Sequence, residues 1–292
     1  MDQSSARTPR LRGADVGIPP RALDFRHSPD LPRRLVADNT TATMFLVVLS
    51  GIFPPGEDFF VRSVNHFKDR VTDPRQRAQV AGFTGQEVIH SREHDRLNDV
   101  FRSRDIDVDL PERAVAAAMR LLGRLPARHQ LVCTAMMEHF TAVLAEELLG
   151  ESTFRDLIHS DLAELWLWHA LEELEHKSVT YDVYELIGNR RLERVLSEPV
   201  IVATVLPPII ASWGRLLATE RVWRRPGDVS TGLRLLFGRG GLLRNVLRRM
   251  PEFGRADFHP ANHDTSALEA AWRERLFGTD GTLNDQLRHR TS

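Results

Sequence analysis

The sequence has few of the features that define several large classes of protein. Among its 292 residues there is one cysteine, Cys133, which excludes an intrachain disulfide and fits the reducing cytosol. The formal net charge is -1, so no overall field favours nucleic acid or an acidic lipid surface. The N-terminus is polar and arginine-rich, without the apolar segment of a secretory signal. These observations predict a cytoplasmic protein that does not bind nucleic acid, and they disfavour binding to a membrane surface.

Recognisable cofactor motifs are also missing. The sequence contains no glycine-rich dinucleotide motif, no phosphate-binding loop and no cysteine-rich cluster. Hydrophobic residues make up 42% of the chain, which is ordinary for a globular protein with a sizeable core. Residues 1–35 are rich in Arg, Pro, Ser and Asp and show no periodicity. We predict that this segment is a flexible arm, either disordered or packed in extended form.

Two stretches combine a Glu-x-x-His pattern with a further histidine. In each stretch, one carboxylate and two imidazoles fall on a single stripe of a helix, because a helix advances by about 100° per residue. The two sets are Glu87, His90 and His94, and His169, Glu173 and His176. A carboxylate and imidazoles on one stripe can share a metal ion, so the repeated pattern predicts a metal site.

A lone glutamate precedes each of these stretches on another predicted helix. Glu57 begins an apolar seam with helical spacing, and we expect Pro54 and Pro55 to separate this helix from the apolar run before it. Glu138 stands among small and apolar residues of a helix predicted over residues 127–149. Burying a carboxylate without a partner is costly, and ligation of a metal ion removes that cost.

The spacing of the four glutamates predicts the topology. Their successive separations are 30, 51 and 35 residues, as expected for two helical hairpins joined by a long crossover, here residues 103–126. The last helix of the four is predicted over residues 157–187. We therefore predict an all-α protein, with a ferritin-like four-helix bundle over residues 36–190. Additional C-terminal helices over residues 191–292 are expected to pack on the bundle.

This arrangement predicts a set of six metal ligands. Ferritin-like di-iron and di-manganese proteins take one Glu from each of two helices and a Glu-x-x-His pair from each of two others. The corresponding residues here are Glu57, Glu87, His90, Glu138, Glu173 and His176. The alternative is a bundle with buried Glu–His pairs and no metal, which leaves several inward charges without a cation to offset them.

His94 and His169 require a separate interpretation. In the predicted topology the second and fourth helices are antiparallel, so both histidines point toward the same end of the site. Each is a candidate additional ligand, a residue that orients a ligand from outside, or a hydrogen-bonded core histidine. Glu146 and Glu172 fall off the apolar stripes, and His139 also points away from them.

An unusually apolar stretch, residues 199–213, follows the predicted bundle. Because a bilayer-spanning helix needs about 20 apolar residues, we predict a buried helix pair that closes the bundle. A membrane-dipping segment and a wall for an apolar substrate are alternatives. A basic amphipathic helix pair over residues 232–250 is expected to face solvent or an acidic part of the protein. A membrane-surface role is an alternative that the near-neutral net charge of the chain disfavours.

Four segments of the sequence resemble a bacterial family called predicted metal-dependent hydrolases. They begin at Phe53 (FPPGEDFFVRSV), Gly85 (GQEVIHSREH), Glu138 (EHFTAVLAE) and Trp168 (WHALEELEHKSV). The resemblance spans about residues 30–275, because the Phe-His-Pro sequence at Phe258 also looks like a signature of this family. It implies a hydrolase. The ligand pattern is similar, too, to ferritin-like di-iron oxygenases and N-oxygenases.

Two classes of enzyme follow from the predicted site. The first uses two iron ions to activate O2 and oxidise or oxygenate a small, apolar organic substrate; mixed Mn/Fe or Mn pairs also suit these ligands, and zinc suits them less. The second is a two-metal hydrolase. The candidate catalytic residues are Glu138, Glu173, His94 and His169. Expected partners are the substrate, an electron donor and, as a candidate, a second copy of the chain.

Overall fold

The computed structural model describes residues 11–28, 31–150 and 153–288. Within these ranges the chain is helical and forms no β-strand, with only isolated bridges between Leu23 and Leu287 and between Val36 and Ile158. The predicted all-α class is confirmed. The helices are α1 (Thr40–Asn65), α2 (Pro74–Ser103), α3 (Asp109–Leu122), α4 (Ala127–Leu149), α5 (Ser160–His176), α6 (Val179–Leu186), α7 (Arg191–Thr204), α8 (Leu206–Thr219), α9 (Asp228–Phe237), α10 (Arg244–Arg249) and α11 (Ser266–Phe277).

Four long helices, α1, α2, α4 and α5, surround the predicted site. Helix α1 packs along α2 and α4 packs along α5, while α3 lies in the connection between the two pairs. Side chains fix where the first two helices begin: Asn39 accepts a hydrogen bond from the backbone N–H of Ala42, and Asp73 accepts one from that of Gln76.

The structure differs from the predicted helix boundaries at two places. Helix α1 continues through Pro54 and Pro55, where a break is predicted. Because Pro54 has no N–H to donate, the carbonyl of Ser50 has no partner within the helix, and Asn98 of α2 donates to it at 3.2 Å instead. The predicted helix over residues 157–187 is divided, since α5 ends at His176 and α6 starts at Val179.

The N-terminal segment packs on α2 and α5 and is extended apart from one 3₁₀ turn, Gly13–Val16. Ile18 and Leu23 are buried, and a Cβ atom on Gly82 would lie 2.5 Å from the carbonyl oxygen of Ile18, so glycine permits this close approach. Arg21 reaches the carboxylates of α5. The described part of the segment predicted as a flexible arm is thus held on the bundle, while residues 1–10 lie outside the described residues.

The C-terminal helices lie against the outside of the four long helices. Helix α7 contacts α4, α8 contacts α1 and α3, α9 contacts α1, and α11 contacts α5. Trp213 of α8 donates to the carbonyl of Thr41 at 3.0 Å. The carboxylate of Asp228 at the start of α9 accepts from the backbone N–H groups of Thr40 and Thr41, both at 2.9 Å. These contacts join α8 and α9 to the N-terminal end of α1.

The prediction of a buried helix pair over residues 199–213 is wrong. Among the described residues, two helical segments are long and apolar enough to cross a membrane, α1 and Arg191–Thr219, but the structure buries 67% of the apolar window in the first and 17% in the second. In α7 and α8 a single stripe, which includes Ser197, Ser212 and Leu216, faces the bundle. Apolar composition favours removal from water, but the bundle covers only one side of these helices.

Candidate metal centre

Seven predicted site residues from four helices converge in the interior of the bundle. They are Glu57 of α1, Glu87 and His90 of α2, Glu138 of α4, and His169, Glu173 and His176 of α5. The structure thus brings together all six predicted ligands and His169, one of the two additional histidines. None of the seven side chains exposes more than 6% of its surface.

The ligand atoms form two clusters, and Glu173 lies between them with one carboxylate oxygen facing each. In the first, which comprises Glu57, His90 and His169, Nε2 of His169 lies 3.7 Å from Oε1 of Glu57. Glu173 Oε1 lies 3.0 Å from that same nitrogen and 3.6 Å from Nδ1 of His90. The other carboxylate oxygen of Glu173 faces the second cluster, 3.5 Å from His176 Nε2.

The second cluster consists of Glu87, Glu138 and His176. Nε2 of His176 lies 3.1 Å from Oε1 of Glu87 and 3.4 Å from Oε2 of Glu138. Glu87 also groups with His90 and Glu173. Two carboxylates, Glu87 and Glu173, are therefore placed between the clusters.

Eight buried atoms of these residues lack a hydrogen-bond partner in the described part of the chain. They are Oε1 of Glu57, both carboxylate oxygens of Glu87 and of Glu138, Nδ1 of His90, Oε2 of Glu173 and Nε2 of His176. Buried polar atoms in folded proteins are almost always hydrogen-bonded. All eight are electron-pair donors directed at one another, so the residues present fit a pair of cations between them.

The charges of the cluster need compensation. Burial raises the pKa of Glu57 and of Glu87 well above the usual value, and it raises the pKa of Glu138 to about 8. Burial lowers the pKa of His176, but Glu173 and Glu138 outweigh this effect and raise the pKa to about 9. Without a metal, protons have to neutralise these carboxylates; bound dications would take their place.

Outside the cluster, a carboxylate and an arginine orient His90. Nε2 of His90 lies 3.0 Å from Oε2 of Glu172, and Arg21 donates to Oε1 of the same carboxylate at 2.8 Å. With its Nε2–H donated to Glu172, His90 presents the lone pair of Nδ1 to the cluster. Glu172 does lie off the apolar stripe, as predicted, and its position next to His90 gives it this supporting role.

Gln86 orients the second ligand histidine in the same way. Its Oε1 lies 3.1 Å from Nδ1 of His176, so that Nε2 of His176 is left as the electron-pair donor. The amide nitrogen of Gln86 donates to Glu175 at 3.1 Å, and Glu175 also accepts from Arg21 and Arg273. Sequence reasoning missed Gln86 and Arg21; the only signal was that Gln86 immediately precedes Glu87.

His94 lies next to the cluster and contacts it through His169. Its Nε2 is 2.8 Å from Nδ1 of His169, and its Nδ1 is 3.0 Å from Oγ of Ser50. Ser50 in turn donates to Oδ1 of Asn98 at 2.7 Å. The structure therefore separates the two additional histidines, placing His169 among the ligand atoms and His94 behind it. His139 lies elsewhere, near the carbonyl of Arg249.

Aromatic rings pack against the ligand imidazoles. The ring of Phe53 lies 4.6 Å from that of His169, and the indole of Trp168 lies 4.9 Å from His90. Phe83 meets His176 edge-on at 5.0 Å. These contacts restrict rotation of the imidazoles and keep water away from them, so the ligand geometry is largely preformed.

Over residues 19–264, the sequence matches the family described as predicted metal-dependent hydrolase. The match covers most of the chain and includes every residue of both clusters. No curated protein and no solved structure matches the chain.

Proposed function

Because the chain belongs to the family of predicted metal-dependent hydrolases, we propose that its buried Glu–His cluster binds two metal ions and forms the active site of an enzyme. The observation that carries this proposal is the convergence of eight unpartnered ligand atoms at one buried place. A structural role alone would leave four buried carboxylates facing one another with only protons, including the one on His176, to offset their charge.

We assign the ligands according to the two clusters. One ion would be held by Glu57, His90 and His169, and the other by Glu87, Glu138 and His176. Glu173 directs one oxygen to each cluster and would contribute to holding both ions. The four helices and the α3 crossover support a ferritin-like bundle, whose usual ligand set has six members. His169 is a seventh ligand in this proposal and makes the two metal sites unequal.

The first candidate reaction is oxidation or oxygenation of a small organic substrate by O2. Hard carboxylate ligands with imidazoles suit iron and manganese, and sites built from Glu-x-x-His helices are those of di-iron and di-manganese bundles. Bound there, two iron ions would supply electrons to O2, whereas two zinc ions would supply an activated water. The oxidative reaction needs electrons from a donor or from the substrate. Its support is an analogy at the level of the fold.

The second candidate reaction is hydrolysis, and the family description favours it. The same seven residues would hold the ions in both reactions. Because Phe53, Trp166 and Trp168 surround the site, they would exclude bulk water from it. Metal identity therefore separates the two candidates better than the identity of the ligands does.

Substrate would approach on the side of His169 and Glu173. These two residues keep the largest exposed fractions of the seven, 3% and 5%. The half-buried Phe53 lies beside them, with its ring 6.0 Å from that of Trp166. Phe83 cannot contact substrate, because it is fully buried against His176. We therefore assign substrate contact to Phe53 and Trp166.

The test begins with the metal content of the full chain purified without chelator. The metal-free protein is then loaded separately with Fe(II), Mn(II) and Zn(II), and each form is assayed for O2 uptake and for hydrolysis of ester, amide and phosphate substrates. About two iron ions per chain with O2 uptake would support oxidation. Hydrolysis by the zinc or manganese form without O2 uptake would assign the second reaction. Failure to bind any of these metals would refute the dinuclear site.

A further inference from the structure

The outer face of α7 and α8 is apolar and uncovered. Residues 199–214 contain no charged side chain. Ile210 exposes 55% of its surface and Leu196 exposes 53%. The exposed large apolar residues of the two helices are Leu192, Val195, Leu196, Val200, Val202, Leu206 and Ile210. Soluble monomers rarely expose an apolar area of this extent unless it binds something.

Positive charge is concentrated in the same part of the chain. Residues 190–250 contain twelve arginines and four acidic residues, a formal net charge of +8, although the whole chain carries -1. Three of the four acidic residues are engaged within the protein: Glu193 pairs with Arg128, Glu220 pairs with Arg33, and Asp228 accepts from the start of α1. The chain is therefore nearly neutral as a whole but contains one strongly basic region.

Most of these arginines have no internal partner. In the described ranges no carboxylate lies within 4.0 Å of eight of them, and all eight are exposed. They are Arg215, Arg221, Arg224, Arg225, Arg234, Arg239, Arg244 and Arg248. Arg215 follows the uncharged stretch directly. Trp223, which exposes 65% of its surface, stands among the next three. Tryptophan is enriched at membrane–water interfaces.

We propose that the outer face of α7–α8 and the arginines that follow it dock the protein on an anionic lipid bilayer. The apolar face would enter the boundary between headgroups and acyl chains, and the arginines would contact lipid phosphates. The opposite stripe of these helices, including Ser197, Ser212 and Leu216, is buried on the bundle. The segment therefore lies in the plane of the membrane surface and does not cross the bilayer.

A second copy of the chain fits this surface less well. A two-fold interface places the same patch of both subunits face to face. The unpaired arginines that follow the apolar face in the chain, beginning with Arg215, would then add like charge to both sides of the interface. An anionic bilayer supplies both an apolar layer and negative charge, so it satisfies the two features together.

The proposal is tested by flotation of the full-length, metal-loaded protein with vesicles. We expect the protein to float with vesicles of phosphatidylcholine mixed with phosphatidylglycerol and to stay behind with phosphatidylcholine alone. Binding should weaken strongly as the salt concentration rises to about 1 M, where the screening length falls to about 3 Å. The double variant Leu196→Glu/Ile210→Glu should bind at least about tenfold more weakly, because two charges enter the apolar face.

The matched control is Val88→Glu on α2, which introduces the same charge at a residue with 57% exposure far from this segment in sequence. It should bind like the wild type, and circular dichroism checks that all variants are folded. The proposal is overturned if the wild type fails to bind anionic vesicles, or if the double variant binds equally well. It is also overturned if the wild type is a dimer that the double variant dissociates and neither binds vesicles. That result would identify a second copy as the occupant.

Discussion

Nε2 of the buried His94 lies 2.8 Å from Nδ1 of the buried His169. Asn98 accepts from the hydroxyl of Ser50, so the Ser50 oxygen is free to accept from Nδ1–H of His94. His94 then accepts from Nδ1–H of His169, and the lone pair of His169 Nε2 faces the metal cluster. This chain of hydrogen bonds ends at the buried amide of Asn98, which cannot pass a proton on. It therefore selects a tautomer of His169 and does not conduct protons. His94 is thus a positioning residue.

The variant His94→Phe tests this assignment. It keeps an aromatic ring in place but removes the acceptor for His169 Nδ1–H, so the affinity of one ion should fall about 10- to 100-fold while the other is retained. His94→Gln, which can accept again, should recover part of the loss. Competition with a chelator measures both affinities. The control is His139→Phe, a buried histidine outside the cluster; an equal effect there, or equal weakening of both ions, would contradict the assignment.

Glu138 contributes to one cluster only, which makes the two proposed sites separable. We expect Glu138→Gln, which preserves shape but removes the charge, to bind one metal ion per chain in place of two. Elemental analysis after desalting gives this ratio. Glu146→Gln is the matched control, since Glu146 lies on the same helix but pairs with Arg249 at 2.8 Å. If Glu138→Gln still binds two ions tightly, the ligand assignment is incorrect.

The ligand set was largely predictable from the sequence because a carboxylate on an apolar helical stripe conflicts with its surroundings. Glu57 and Glu138 were identified through that conflict. The residues that orient the ligands give no such signal, because Arg21 reaches Glu172 across 151 positions of the chain. Their roles depend on how the N-terminal segment packs against α5.

Helix boundaries and burial were less predictable for a related reason. Two prolines usually end a helix, but the side chain of Asn98 on a neighbouring helix satisfies the carbonyl of Ser50 and α1 continues. The apolar residues of α7 and α8 indicate that these helices are removed from water. The sequence does not specify whether the rest of the protein or something outside it buries them. The total charge of the chain likewise conceals its uneven distribution.

The metal-free protein should lose stability as the pH rises from 7 to 9. In the folded chain the pKa of Glu138 is raised to about 8 and that of His176 to about 9, from 4.5 and 6.5 for unperturbed groups. For each group with a raised pKa, the stabilisation is complete below the pKa that the group has in the unfolded chain. It is lost as the pH rises toward the pKa that the group has in the folded chain. Where only the folded state holds the proton, the loss is about 1.4 kcal/mol per pH unit for each group.

Urea unfolding of the metal-free chain at pH 7, 8 and 9 measures this effect. Burial lowers the pKa values of His90 and His94, so their contribution makes the free energy of unfolding rise with pH. This contribution is complete near pH 6.5, the pKa of an unperturbed histidine. With metal bound the trend should reverse, because metal ions compete with protons for the same atoms. A metal-free protein whose stability is constant or rises between pH 7 and 9 would contradict the electrostatic description of the cluster.

The last prediction concerns Arg21, which joins the N-terminal segment to the metal centre. Its guanidinium donates to Glu172 at 2.8 Å and to Glu175 at 2.7 Å, and both carboxylate side chains are fully buried. Arg21→Gln leaves buried Glu172 without its arginine, while Glu175 keeps Arg273, so we expect a loss of about 3–5 kcal/mol in the free energy of unfolding. Because Glu172 orients His90, metal affinity should also fall. Urea unfolding and chelator competition measure the two effects.

Arg33→Gln is the control for this variant, because Arg33 pairs with Glu220 while exposing 41% of its side chain. An exposed ion pair contributes about 0–1 kcal/mol, so the control should change stability little. The double variant Arg21→Gln/Glu172→Gln should recover part of the stability by removing one orphaned charge, without restoring metal affinity. If Arg21→Gln is no more destabilising than Arg33→Gln and leaves metal affinity unchanged, the N-terminal segment does not support the metal centre through Glu172.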